Sequence, residues 1–163
     1  MRLPLTLSIL ITLTLVASLA AQNRISGVFQ CAKPDPVYTI PVGDRPDHVF
    51  AISKSKCTWV KPIEIGGVQA KDLELTVFRD ISGSRFRGRS ASTGTMANGD
   101  RTFGLGQTAG TVKEGVPQTV ETTWTYTGGT GKLKGLKGKG TVKGKAAPDG
   151  TITYDTEGEY QLP

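Results

Sequence analysis

The chain of 163 residues holds one histidine, His48, and two cysteines, Cys31 and Cys57. A single histidine excludes any site built on a histidine pair, and Ser-His or Cys-His catalysis would have to rest on His48 alone. No stretch reads G-x-S-x-G, H-E-x-x-H or G-x-x-x-x-G-K-[ST], so the hydrolase elbow, the zinc-protease helix and the phosphate-binding loop are absent. Two cysteines and one histidine are too few for a zinc site unless carboxylates join them, and neither a metal nor a cofactor is expected. No segment repeats its apolar residues with the 3.6-residue period of an amphipathic helix.

Glycine is plentiful, at 21 residues, against two tryptophans, and threonine recurs through runs that alternate polar and apolar. Period-two alternation is the pattern of half-buried strands, so the expected class is all-β, in one antiparallel barrel of about eight strands. The N-terminus reads differently. Met1-Arg2, a short apolar run from Leu3 to Ala17 and the small residues A-S-L-A-A-Q are the marks of a secretory leader over residues 1–20. Thr6, Ser8, Thr12 and Thr14 dilute that run, which is short for a bilayer, so no membrane span is expected after cleavage. Residues 21–163 then form one domain, exported to the periplasm or beyond. In an oxidising compartment Cys31 and Cys57 have one possible pairing, a disulfide.

Between the cysteines, A-K-P-D-P-V-Y-T-I-P-V-G-D-R-P-D-H holds four of the nine prolines and is expected to be a loop pinned by the disulfide. His48 to Ile52 reads as a short strand, with His48, Phe50 and Ile52 on one face. Further on, Leu73, Leu75 and Val77 face inward. Asn98-Gly99 is a two-residue hairpin signal that would set Gly94 opposite Phe103 and Ser92 opposite Leu105. Arg85, Arg87 and Arg89 then share the outer face. Val120, Thr122, Trp124 and Tyr126 form an inward face, followed after a glycine corner by Leu136, Gly138, Gly140, Val142 and Gly144, with lysines between them. Ala147-Pro148-Asp149-Gly150 turns the chain into a strand with Ile152, Tyr154 and Tyr160 on one side and Asp155, Glu157 and Glu159 on the other. That hairpin would place Lys143 by Asp155 and Lys139 by Glu159, so the lysine strip reads as a solvated sheet face and not as a specific nucleic-acid site.

The run G-G-T-G-K-L-K-G-L-K-G, from Gly128 to Gly138, resembles the G-G-T-G-x-F-x-x-A-R-G signature of dirigent proteins and allene oxide cyclases. Leu133 stands at the Phe position and Leu136-Lys137 at Ala-Arg. The resemblance implies an eight-stranded antiparallel barrel of that kind, or a lipocalin-like one. More broadly, the chain resembles small secreted bacterial proteins of unassigned function with C-T-W-x-K-P, N-G-D and G-G-T-G-K motifs.

Three functions fit these residues. The first is a binding or structural module for a small apolar or aromatic ligand, with Trp59, Phe103, Trp124 and Tyr126 lining the interior. The second, implied by the resemblance, is a barrel that steers a reaction, with His48, Glu64 and Arg101 as its polar candidates. The third is a basic surface formed by Arg85, Arg87, Arg89 and the lysines that holds acidic polymers. Inward glycines beside large aromatics predict a narrow, mostly filled interior. Any pocket is expected at an end shared by Trp59 and His48, under the proline-rich loop as a lid.

Overall fold

A computed structural model describes residues 23–163; the expected leader lies outside the described residues. Ten strands follow in order: β1 (Asn23–Cys31), β2 (Val37–Pro41), β3 (His48–Lys61), β4 (Glu64–Ile65), β5 (Val68–Ser82), β6 (Arg85–Met96), β7 (Arg101–Lys113), β8 (Val116–Gly129), β9 (Lys137–Ala146) and β10 (Ile152–Gln161). One turn of 3-10 helix, Gly131–Leu133, joins β8 to β9. Every pairing is antiparallel, and the β3–β5 pairing closes β1, β3 and β5 to β10 into an eight-stranded barrel. Closure satisfies the backbone donors and acceptors that an open edge would leave to water.

The alternation read from the sequence becomes the wall of this barrel. In β9 the lysines point outward and are exposed, while Gly138, Gly140, Val142 and Gly144 point inward. Opposite them in register lie large inward residues: Gly138 faces Tyr126 and Tyr160, and Gly144 faces Val120 and Tyr154. Gly140 stands between Trp124 and Gly158. A Cβ at either Gly140 or Gly158 would run into the Trp124 ring, so the indole occupies the room that two facing glycines leave. Outside, Lys143 is paired in register with both Asp155 and Glu121, and Lys139 Nζ lies 3.4 Å from Glu159.

Two apolar clusters fill the ends. One joins Phe29, Phe86, Val112, Val120, Ile152 and Tyr154 to the Cys31–Cys57 disulfide, with Tyr154 stacked on Phe29 at 4.8 Å between ring centres. The other is built on Ile25, Ile63, Ile65, Met96, Leu133, Leu136 and Tyr160. Leu133 and Leu136 come from the glycine corner, so that corner closes one end of the barrel.

Two expectations are corrected here. The proline-rich segment is not wholly a loop: Val37–Pro41 is β2, paired antiparallel with Val49–Ser53 of β3. Extended φ is what proline imposes, and it suits the margin of a sheet, where Pro41 need not donate to a second neighbour. Secondly, Gly94 faces Thr102 and Ser92 faces Gly104. The hairpin loop has three residues: Gly99 N donates to Met96 O, Met96 N donates to Asp100 O, and Gly99 takes φ +86°. A left-handed glycine closing a three-residue loop moves the register by one relative to a two-residue turn. Phe103 and Leu105 therefore face outward, and Thr102 and Gly104 face in.

Candidate functional site

The two end clusters leave a cavity of about 100 Å³ between them, lined chiefly by inward residues of β3 and β5 to β10. Trp59, Trp124 and Tyr126 all border it. The rings of Trp124 and Tyr126 are 4.9 Å apart, and Trp59 packs edge-on to Phe29 at 5.2 Å. Leu73, Leu75 and Val77 add an aliphatic wall from β5, and hydroxyls of Ser90, Ser92, Thr102, Thr108 and Thr122 border it too. Thr122 donates to Thr108 across β8 and β7 at 3.0 Å. Burial raises the pKa of Tyr126, so its hydroxyl stays protonated at neutral pH.

The inward face of β5 continues one step past Val77 to Arg79. This guanidinium is buried, at 6 % exposure, and borders the cavity. Its Nη1 donates to Ser53 Oγ at 2.8 Å, and the group lies 5.4 Å from the centre of the Phe86 ring. No carboxylate lies within 4.0 Å of it among the described residues. Burial lowers its pKa, partly offset by Tyr154, yet a guanidinium remains charged at any ordinary pH. Tyr154 is pushed up to about 12 by burial, with Arg79 opposing. Three buried donors here have no acceptor among the described residues: Arg79 Nε, Trp59 Nε1 and Trp124 Nε1. All three residues border the same cavity.

The other residues proposed from sequence fall elsewhere. Phe103 is on the outer face, 36 % exposed, and does not line the cavity, because of the hairpin register. His48 and Trp59 do not share an end: they stand eleven positions apart on β3, which is about 36 Å of extended chain, and on opposite faces. The pocket is thus internal rather than at a common end, and no residue of the proline-rich segment lines it, which removes the lid. Glu64 and Arg101 are exposed, and neither they nor His48 touches the cavity.

His48 instead forms a small polar cluster on the outside. Its Nδ1 lies 2.5 Å from Asp44 Oδ1 and its Nε2 2.9 Å from Asp80 Oδ1, while Arg45 Nη1 reaches Asp44 Oδ2 at 2.7 Å. The hydrogen bond to Asp44 raises the His48 pKa, and the same bond lowers that of Asp44. The folded chain therefore holds the imidazole proton more tightly than the unfolded one. That contribution is complete below the ordinary value of 6.5 and is lost as pH rises through the folded value; the Asp44 part is lost as pH falls through its lowered value. His48→Gln should lower the urea midpoint more at about pH 5.5 than at about pH 8.5. An equal loss at both would show that the imidazole is uncharged in this cluster.

The strand pairing and the interior define the class: a closed eight-stranded antiparallel barrel with a small internal cavity. No protein-family model matches the chain, and no curated protein does. Among solved structures it is similar to one titled "Pyocyanin demethylase", with a TM-score of 0.40 and 19% identity over 82% of this chain and 98% of that chain. A likeness at that level adds no chemistry to the site.

Proposed function

We propose that this protein is a binding barrel that holds a small compound with an apolar or aromatic body in its interior. The observation that carries this reading is the cavity bordered by Trp59, Trp124 and Tyr126, with the inward wall of Leu73, Leu75 and Val77 left half-exposed toward it. A barrel whose only task was rigidity would gain by filling that space, since empty volume forfeits dispersion contacts. Its size sets the ligand: about 100 Å³ is of the order of the ~150 Å³ that accommodates benzene, so a single ring or a short chain is the upper limit. The Cys31–Cys57 disulfide suits an oxidising compartment, and the reading places the protein in the periplasm or outside the cell.

The reaction-steering reading is weaker because His48, Glu64 and Arg101 lie away from the cavity. Attachment of acidic polymers is weaker too. Arg85, Arg87 and Arg89 are exposed in a row, but Asp80 faces Arg87 in register, and Lys139 and Lys143 of β9 meet Glu159 and Asp155 across the sheet.

Tryptophan emission, titrated with single-ring and short-chain compounds both neutral and acidic, tests the proposal, because both indoles border the cavity. At least one compound should give a saturable change that Tyr126→Trp, which fills the space, abolishes. No saturable response across the panel in a folded sample would reduce the interior to packing.

A further inference from the structure

We propose that Arg79, with Ser53, is a carboxylate-binding site in the cavity wall, and that the ligand is a single-ring or short-chain monocarboxylic acid; this rests on the reading that the interior binds a ligand at all. Burying a cation without a counter-charge is costly, and proteins ordinarily meet the cost with a carboxylate. Arg79 has none among the described residues: its one acceptor there is the Ser53 hydroxyl, and the Phe86 ring attracts the charge without neutralising it.

The neighbouring donors point to the same chemistry. Arg79 Nε, Trp59 Nε1 and Trp124 Nε1 are N–H groups that can only donate, and each is buried without an acceptor. Around one cavity this is a surplus of donors, which suits a ligand rich in acceptor atoms. A guanidinium offers a planar fork that matches the two oxygens of a carboxylate. Phosphate or sulfate fits less well, because a second negative charge would meet no second cation: among the described cavity-lining residues Arg79 is the only charged side chain. The apolar body would then lie toward the aliphatic wall of Leu73, Leu75 and Val77.

The geometry also separates Arg79 from a structural arginine. Ser53 and Arg79 lie on adjoining strands, Ser53 facing Val77 and Arg79 facing Ala51, so the hydroxyl steadies one arm of the fork and leaves Nε without a partner. Gly88, the register partner of Arg79 on β6, carries no side chain that could supply an acceptor.

The test compares benzoate and hexanoate with their neutral counterparts, benzyl alcohol and hexanol, by fluorescence titration at about pH 7, where the acids are ionised. The wild-type protein should bind the acids at least ~10-fold more tightly, as hydrogen bonds to a charged partner allow. Arg79→Met should bring the acids down to the affinity of the alcohols, and Arg79→Lys should keep only part of the preference. Equal affinity for acids and alcohols in the wild type would overturn the carboxylate site while the cavity reading stood. Silence of all four would overturn both. Displacement of benzoate by inorganic phosphate or chloride at equal concentration would show a general anion site and defeat the monocarboxylate assignment. The wild-type comparison decides the matter even where Arg79→Met does not fold.

Discussion

Replacing Trp124 with alanine is expected to cost about 3–5 kcal/mol of stability, the range for truncating a core aromatic, since the partly buried indole packs against the cluster of Ile25 and Tyr160. The indole packs over facing glycines on β9 and β10 and beside Tyr126, and neither glycine has a side chain that could move into the space left behind. The hole would also open into the cavity already there, so the walls could not close it by small shifts. Urea unfolding of both proteins gives the difference. A loss below ~1 kcal/mol would show that Gly140 and Gly158 serve backbone closeness alone and that the indole is dispensable.

Replacing Cys31 and Cys57 together with alanine should cost nearly as much. The two residues face one another across β1 and β3 and lie 26 positions apart in sequence. Releasing a loop of that length restores unfolded-chain freedom worth about 3–4 kcal/mol in the entropy treatment, to which lost packing in the end cluster adds. The wild-type protein should lose stability on reduction and the variant should not. If reductant destabilises both equally, the effect lies outside the disulfide. The contribution arises where β3 changes neighbours: its first part pairs with β2 and its last part with β1, so the bond fastens β1 at the handover.

Much of this fold could be read from side-chain period. Lysine alternating with glycine from Lys137 to Lys145 gave the right faces of β9, and Asp155 and Glu159 of β10 fell opposite Lys143 and Lys139 as their spacing required. The failures have local causes. Asn98-Gly99 signals a two-residue turn, but the hydrogen bonds of Met96 select a three-residue loop, and one residue of slip turned Phe103 from a lining residue into a surface one. β2 was hidden because Pro36 and Pro41 bracket it, and proline reads as loop when only local preference is weighed. Trp59, Trp124 and Tyr126 were legible as wall residues because aromatics were few. Arg79 was not, although the signal was present: Leu73, Leu75, Val77 and Ile81 keep parity through it, and the run of apolar residues Leu73, Leu75 and Val77 stops one step short of it. An arginine in phase with a core face is the cue that was available.

Closing the barrel has also moved the sheet's free backbone onto very little chain. The strands at the ends of the pairing order are β2, of five residues, and β4, of two. β2 carries Tyr38 and Ile40, 63 % and 66 % exposed, beside Phe50, Ile52 and Phe78 on the same outer face, a composition that would favour growth of a cross-strand aggregate if it were longer. It cannot lengthen easily. Pro41 stands within its last position and has no N–H to give to an incoming strand, while Pro36 before it turns its carbonyl to Lys54 of β3, so a template of this kind ends after a few hydrogen bonds. Pro41 thus sits where a gatekeeper residue is placed, at the margin of an apolar flank.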